Sequence, residues 1–233
     1  MSGTLYGVGL GPGDPELITR RAARLIESAE IICYPSLAGG ESLARAIAAD
    51  LIPATAREIR IDVPMTRDRA PAQTAYDAGA AGIAQALENG QDVVCLCEGD
   101  PFFYSSFMYL FARLRGRFDV QVVPGVTSLT ACAAVAAMPL TARNEVMTVL
   151  PGPLPDDILR THLRAADTLV VMKVGRHLPR LRTLLDAEGL LAAATYVERA
   201  TLGAERVLPL ADAPDDAPYF SMILIAKGAD PWL

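Results

Sequence analysis

Short apolar runs at 5–10, 31–34, 58–63, 92–97 and 120–123 alternate with segments of helical periodicity through the first 140 residues. Such alternation predicts parallel strands with helices on both faces of a sheet. Between the second and third runs, Leu43, Ala44, Ile47, Ala48 and Leu51 share one side of a 3.6-residue period, so 41–51 is expected as an amphipathic helix. The segment 70–91 is expected as a longer helix that stops at Asn89-Gly90. Beyond Pro139 the texture changes. Runs at 146–150, 168–172, 194–197, 206–210 and 220–225 read as strands, and the last two lie too close together for a helix between them. That spacing implies antiparallel pairing. The expected fold is therefore two α/β domains: an N-terminal mostly parallel five-stranded sheet over 1–140 and a C-terminal smaller mixed sheet over 141–233, with the break at 138–143.

Three of the N-terminal strands end in polar elbows. The run Val93-Val94-Cys95-Leu96-Cys97 passes straight into Glu98-Gly99-Asp100-Pro101, where Gly99 lets a ligand approach the backbone and Pro101 suits the first turn of a helix. The first run leads into Gly11-Pro12-Gly13-Asp14-Pro15, with Asp14 as the expected helix cap. The fifth leads through Pro124-Gly125-Val126-Thr127-Ser128 into an Ala-rich helix over 127–138. In open α/β sheets ligands bind outside the carboxyl ends of the strands, so these elbows should line one binding rim. A dinucleotide fingerprint is a poor match, because Pro12 and Pro15 interrupt the turn and the second strand ends in Tyr34-Pro35 with no acid to hold a ribose.

Charge and composition narrow the partners. The 233 residues carry a net charge of −6, which weighs against nucleic acid, whose binders usually present a basic face. The longest apolar stretch, 129–140, is too short to span a bilayer and contains Pro139, so no membrane span is expected. The first four residues lack a basic region ahead of an apolar run, and a cytoplasmic location is the expectation. Cys33, Cys95, Cys97 and Cys132 sit within apolar patterns and form no Cys-x-x-Cys pair, which argues for buried thiols rather than a disulfide or metal framework. His162 and His177, the two histidines, fall in helix-like segments and are expected in solvated or core roles.

Four motifs in order carry a family resemblance. Gly9-Leu10-Gly11-Pro12-Gly13-Asp14-Pro15, Glu98-Gly99-Asp100-Pro101-Phe102-Phe103-Tyr104, Val122-Val123-Pro124-Gly125-Val126-Thr127-Ser128 and Val197-Glu198-Arg199-Ala200-Thr201 together resemble the tetrapyrrole methylases over essentially the whole chain. The resemblance implies S-adenosylmethionine as methyl donor, bound as a folded molecule in a cleft that the C-terminal domain completes. It assigns Pro12, Glu98, Gly99, Asp100, Phe103, Thr127, Ser128, Met172, Lys173 and Ala200 to that cofactor. Asp100 would meet the methionine amino group or the sulfonium charge. A plain helix cap before Pro101 is the competing role for that residue. Family members are dimers, so a homodimer is implied.

Within the family, Tyr104-Ser105-Ser106-Phe107-Met108-Tyr109-Leu110 resembles the branch that methylates C20 of precorrin-2. Uroporphyrinogen III methylases instead continue with glycines there and tend to carry an acid after the tyrosine ending the second strand, where this chain has Tyr34-Pro35-Ser36. The small-molecule substrate would be a multiply carboxylated tetrapyrrole. Arginine forks suit carboxylates. Arg57, Arg60, Arg67 and Arg69 cluster around the third strand and its following loop, and Arg143 follows Pro139-Leu140-Thr141 as in relatives. The substrate set is thus Arg67, Arg69, Tyr34 and Arg143, and the polar groups for the departing C20 proton are Tyr104 and Glu98. Methylation of a cobalt-loaded analogue or of another ring position is an open alternative. So is a noncatalytic tetrapyrrole-binding protein of the same fold.

Overall fold

The computed structural model describes residues 2–64 and 68–228. The chain divides into two compact units, Met1–Thr127 and Ser128–Leu233.

Unit 1 is a fully parallel five-stranded sheet in the order β3-β2-β4-β1-β5, built from β1 (Thr4–Gly9), β2 (Ile31–Leu37), β3 (Arg57–Val63), β4 (Val93–Cys97) and β5 (Asp119–Val123). Every residue of the central β4 is buried. Strand side chains alternate between faces. Accordingly Val93, Cys95 and Cys97 join one core with Leu5, Ile31, Cys33, Ile83, Leu87 and Phe107, under α3 (Ala70–Glu88) and α4 (Phe107–Leu114). Val94 and Leu96 join the other with Val8, Leu10, Ile32, Ile26 and Ile47, under α1 (Arg20–Glu27) and α2 (Leu43–Ile47). The three thiols Cys33, Cys95 and Cys97 are free and buried in the sheet.

Local chemistry shifts several boundaries from expectation. Asp14 caps only a single 3₁₀ turn, Pro15–Leu17, by accepting from the Glu16 amide; the true helix begins at Arg20, capped by Thr19 accepting from the Ala22 amide. The expected helix over 41–51 is α2 followed by a separate turn, Ala49–Leu51. Strand β2 runs on through Pro35, because beyond Cys33 it pairs only with β3 and its other side has no ladder to break.

Unit 2 carries β6 (Met147–Pro151), β7 (Thr168–Met172), β8 (Ala194–Glu198), β9 (Arg206–Pro209) and β10 (Ser221–Ala226) in the order β6-β7-β10-β8-β9. It is mixed: β6 and β7 are parallel, whereas β10 is antiparallel to both β7 and β8, and β8 to β9. The last two strands do not pair with each other, because β10 slots between β7 and β8 instead. One cluster joins Leu150, Val171, Tyr196 and Ile223 to Leu159 and Leu163 of α6 (Asp156–Ala165) and to Leu178, Leu181, Leu184 and Leu185 of α7 (Leu178–Ala187). The Ala-rich helix α5 (Ser128–Val135) packs on β10 and so belongs to this unit, which moves the break from 138–143 to Thr127–Ser128. Among the described residues no helix is long and apolar enough to cross a membrane.

Candidate active site

In unit 1 the carboxyl ends of β4, β1 and β5 lie side by side, and their three elbows are joined through backbone. The Gly99 amide donates to the Gly11 carbonyl at 2.7 Å and the Gly11 amide to the Gly99 carbonyl at 3.3 Å. Leu10 donates to Cys97 at 2.9 Å. A Cβ at Gly125 would sit 2.1 Å from the Gly99 carbonyl oxygen, and one at Gly9 would sit 2.6 Å from the Gly125 nitrogen. Both lie far inside van der Waals contact, so only glycine permits this approach.

Asp100 locks the junction. One carboxylate oxygen accepts from the Phe102 amide at 2.9 Å and the other from the Gly125 amide at 3.0 Å. It is therefore neither a cap of α4, which begins seven residues later at Phe107, nor a solvated surface acid. Pro101 correspondingly sits in a turn, not in a helix. Pro12, Phe103, Thr127 and Ser128 are all partly exposed around this junction or the start of α5.

Glu98 is partly covered, and burial pushes its carboxyl up, opposed by a hydrogen bond from the Ala44 amide at the start of α2. Tyr104 is 40% exposed and left-handed, with φ of 55°. Its ring meets Phe103 edge-on at 5.1 Å. A non-glycine residue in that region is held there by its surroundings.

In unit 2, β7 and β8 both run antiparallel to β10 and so end at the same rim, one strand apart. Met172 and Val197 pair with opposite sides of Met222, which brings Met172, Lys173 and the 198–201 loop to one edge. Lys173 is exposed and left-handed, with φ of 56°, and the Gly152 amide beside it donates to the Met172 carbonyl at 2.7 Å. Ala200 is buried between left-handed Arg199 and Thr201. Apart from Ser128, which opens α5, the cofactor residues named from the sequence thus lie at the carboxyl ends of the strands of their own unit.

The substrate set fares differently. Tyr34 is buried and its hydroxyl donates to Glu58 at 2.5 Å, while Arg45 grips the same carboxylate at 2.9 Å, so the phenol is committed within the sheet and is not presented to a ligand. Burial and the Glu58 contact raise its phenol pKa. Arg57 opens β3 and hence lies at the opposite end of the sheet from the elbows. Arg60 is held by Asp62 at 2.6 Å and by the Gly40 carbonyl at 2.7 Å. Arg69, just before α3, and Arg143 are exposed. Arg67 lies outside the described residues. His162 is exposed on α6, and His177 follows β7 with its imidazole held below the usual range by burial and the nearby Arg176 and Arg180. Gly9, Gly11, Gly125 and Glu198 all stand in the motifs, but no local signal gives the close backbone contacts of the glycines or the Tyr196 and Arg206 bonds of Glu198.

A parallel sheet whose glycine-built elbows converge, followed by a mixed sheet with a strained rim loop, defines a class. The model of the tetrapyrrole (corrin/porphyrin) methylases matches residues 4–214, and the chain belongs to that family. It is 40% identical over 237 residues to the precorrin-2 C(20)-methyltransferase of a Sinorhizobium species, covering 98% of this chain and 97% of that one. It is 36% identical over 231 residues to the cobalt-precorrin-2 C(20)-methyltransferase of Salmonella typhimurium, covering 97% and 98%. A cobalamin biosynthesis protein named CobIJ from Mycobacterium tuberculosis is 44% identical over 97% of this chain, which spans only 46% of that protein's length. Among solved structures, the uroporphyrin-III C-methyltransferase of Thermus thermophilus in complex with S-adenosyl homocysteine superposes with a TM-score of 0.67 at 27% identity, covering 95% of this chain and 97% of that one.

Proposed function

We propose that this chain is an S-adenosylmethionine-dependent methyltransferase that places one methyl on C20 of precorrin-2, giving precorrin-3A on the route to cobalamin. The observation that carries the reading is the end-to-end 40% identity with the Sinorhizobium precorrin-2 enzyme. The residues fit such a donor: glycines strip side chains from three elbows, leaving backbone groups for a nucleoside, and the Asp100 carboxylate is held by accepting two hydrogen bonds from backbone amides while keeping lone pairs for an ammonium.

S-adenosylmethionine would supply an electrophilic methyl on a sulfonium. C20 of the reduced ring is enamine-like and donates the electron pair that forms the new carbon–carbon bond; the carbon–sulfur bond breaks with its electrons left on sulfur. A proton then leaves C20 to water or to a base. Little activation is needed, so the protein's task is alignment, and positioning alone contributes up to about 7–11 kcal/mol in favourable intramolecular cases. Tyr104 is the side chain we assign to the reacting face; Glu98, its carboxyl raised by burial, is the second proton acceptor. Arg67, Arg69 and Arg143 are assigned to the substrate carboxylates. A cytoplasmic homodimer completes the reading, checked by light scattering on the purified protein.

Anaerobic incubation with S-adenosylmethionine and metal-free precorrin-2, with the cobalt form in parallel, tests the reading by mass spectrometry. Gain of one methyl by the metal-free pigment supports it. Gain by the cobalt pigment alone moves the chain beside its Salmonella relative, and gain by neither removes the substrate assignment.

A further inference from the structure

Glu198 closes β8 with a carboxylate that is 1% exposed. A buried charge is tolerated only when paired and hydrogen-bonded. Here the Tyr196 hydroxyl donates at 2.5 Å, the Arg206 Nε at 2.7 Å, and Arg199 Nη1 stands 3.5 Å away. The Arg206 hydrogen bond, helped by that of Tyr196, holds the carboxyl below its ordinary range against the opposing effect of burial. Glu198 ends β8 and Arg206 opens β9, so their hydrogen bond ties the two ends of the loop together, with Arg199 adding a longer ion pair.

That loop is strained where it matters. Arg199 and Thr201, on either side of Ala200, have φ of 49° and 68°. A connection with no task beyond joining two antiparallel strands would place glycine at such positions, yet Gly203 lies beyond both. Non-glycine residues stay left-handed only when the surroundings over-determine them. The Arg199 amide donates to the Phe220 carbonyl at 2.8 Å, Leu202 to Arg199 at 2.9 Å, and Thr201 to the Glu205 carboxylate at 2.6 Å.

We propose that Glu198 is a positioning residue for nucleoside binding: by tying Arg206 to the end of β8 it holds the 199–201 backbone in the one conformation that presents Ala200 to the adenosine of the methyl donor. The proposal rests on the reading of this chain as S-adenosylmethionine-dependent. Glu198 touches no ligand in this account, so its loss acts on affinity and not on the chemical step.

Calorimetry with S-adenosylhomocysteine and steady-state kinetics test it. Glu198→Gln is expected to weaken binding about tenfold, the range for a hydrogen bond to a charged group, and to raise KM for S-adenosylmethionine while kcat and the tetrapyrrole KM stay within about twofold. Glu205→Ala removes the exposed acceptor of the Thr201 amide and should shift the same KM in the same direction by a smaller factor; it decides the matter if Glu198→Gln does not fold. Wild-type protein that binds while folded variants bind equally well overturns the positioning role, as does a fall in kcat at unchanged KM. Wild-type protein that does not bind at all overturns the cofactor reading, and the proposal with it.

Discussion

The two rims are built by opposite means. In unit 1 the junction is made of backbone: Gly9, Gly99 and Gly125 touch with no side chain between them, and one carboxylate, Asp100, ties the second elbow to the third. In unit 2 the rim loop carries ordinary side chains in left-handed conformations and is held by a buried ionic clasp around Glu198. A backbone junction fails when any atom is added. An ionic clasp fails when charge is lost, through mutation or acid. The difference sets how each rim should respond to perturbation.

The largest effect is expected from Gly125→Ala. Its Cβ would meet the Gly99 carbonyl at 2.1 Å, a backbone contact that no rotamer can relieve. Denaturant melts should show a loss of about 3 kcal/mol or more, the upper range for overpacking, with cofactor affinity abolished by calorimetry. A variant that binds and melts as the wild type would break the claim of a backbone-built rim.

Asp100→Ala should come next. The Gly125 and Phe102 amides lose their acceptor, and cofactor affinity should fall tenfold or more, on the roughly 1.5–3 kcal/mol of a hydrogen bond to a charged group. Unchanged calorimetric affinity would take Asp100 out of the site.

Acid should test an ion pair of unit 2 that lies away from the rim. In unit 2, Arg164 and Arg160 hold Glu188 at 2.8 and 2.6 Å and lower its carboxyl from 4.5 to about 2. Because the folded value is the lower one, the stabilisation is present above pH 4.5 and drains away as pH falls toward about 2. Wild-type stability by denaturant melts should therefore drop through that window, and Glu188→Gln should be weaker at neutral pH and lose less on acidification. Parallel curves for the two proteins would show that the Glu188 ion pairs contribute nothing to this acid sensitivity.

The smallest effect belongs to the exposed arginines. Arg69→Ala and Arg143→Ala should each raise the tetrapyrrole KM a few-fold without touching cofactor affinity. Steady-state assays that leave that KM unchanged would return both to the solvated surface.

Much of the fold was legible because burial writes itself as periodicity. Strand β4 alternates its faces under two sets of helices, and its apolar run stops at the polar residue where the elbow begins. Long-range pairing leaves no such mark. For Asp100 the local alternative to a cofactor role is a helix cap before Pro101, and nothing local announces its bond to an amide 25 residues away. Pro139 reads as a domain break, yet α5 before it packs on β10, whose position no local pattern reveals. Arg57 shares a short stretch with Arg60 but opens its strand, so direction along the sheet, not proximity in sequence, decides which rim it faces. Tyr34 reads as a ligand residue by its position in the family pattern, whereas Glu58 across the β2–β3 ladder claims its hydroxyl.

The most direct test of the account is the position of the new methyl group. Metal-free precorrin-2 incubated anaerobically with this protein and with S-adenosylmethionine carrying a ¹³C-labelled methyl should give a pigment with one enriched carbon, bonded to C20 by NMR. Enrichment at another ring carbon, or none at all while S-adenosylmethionine binds, would contradict it.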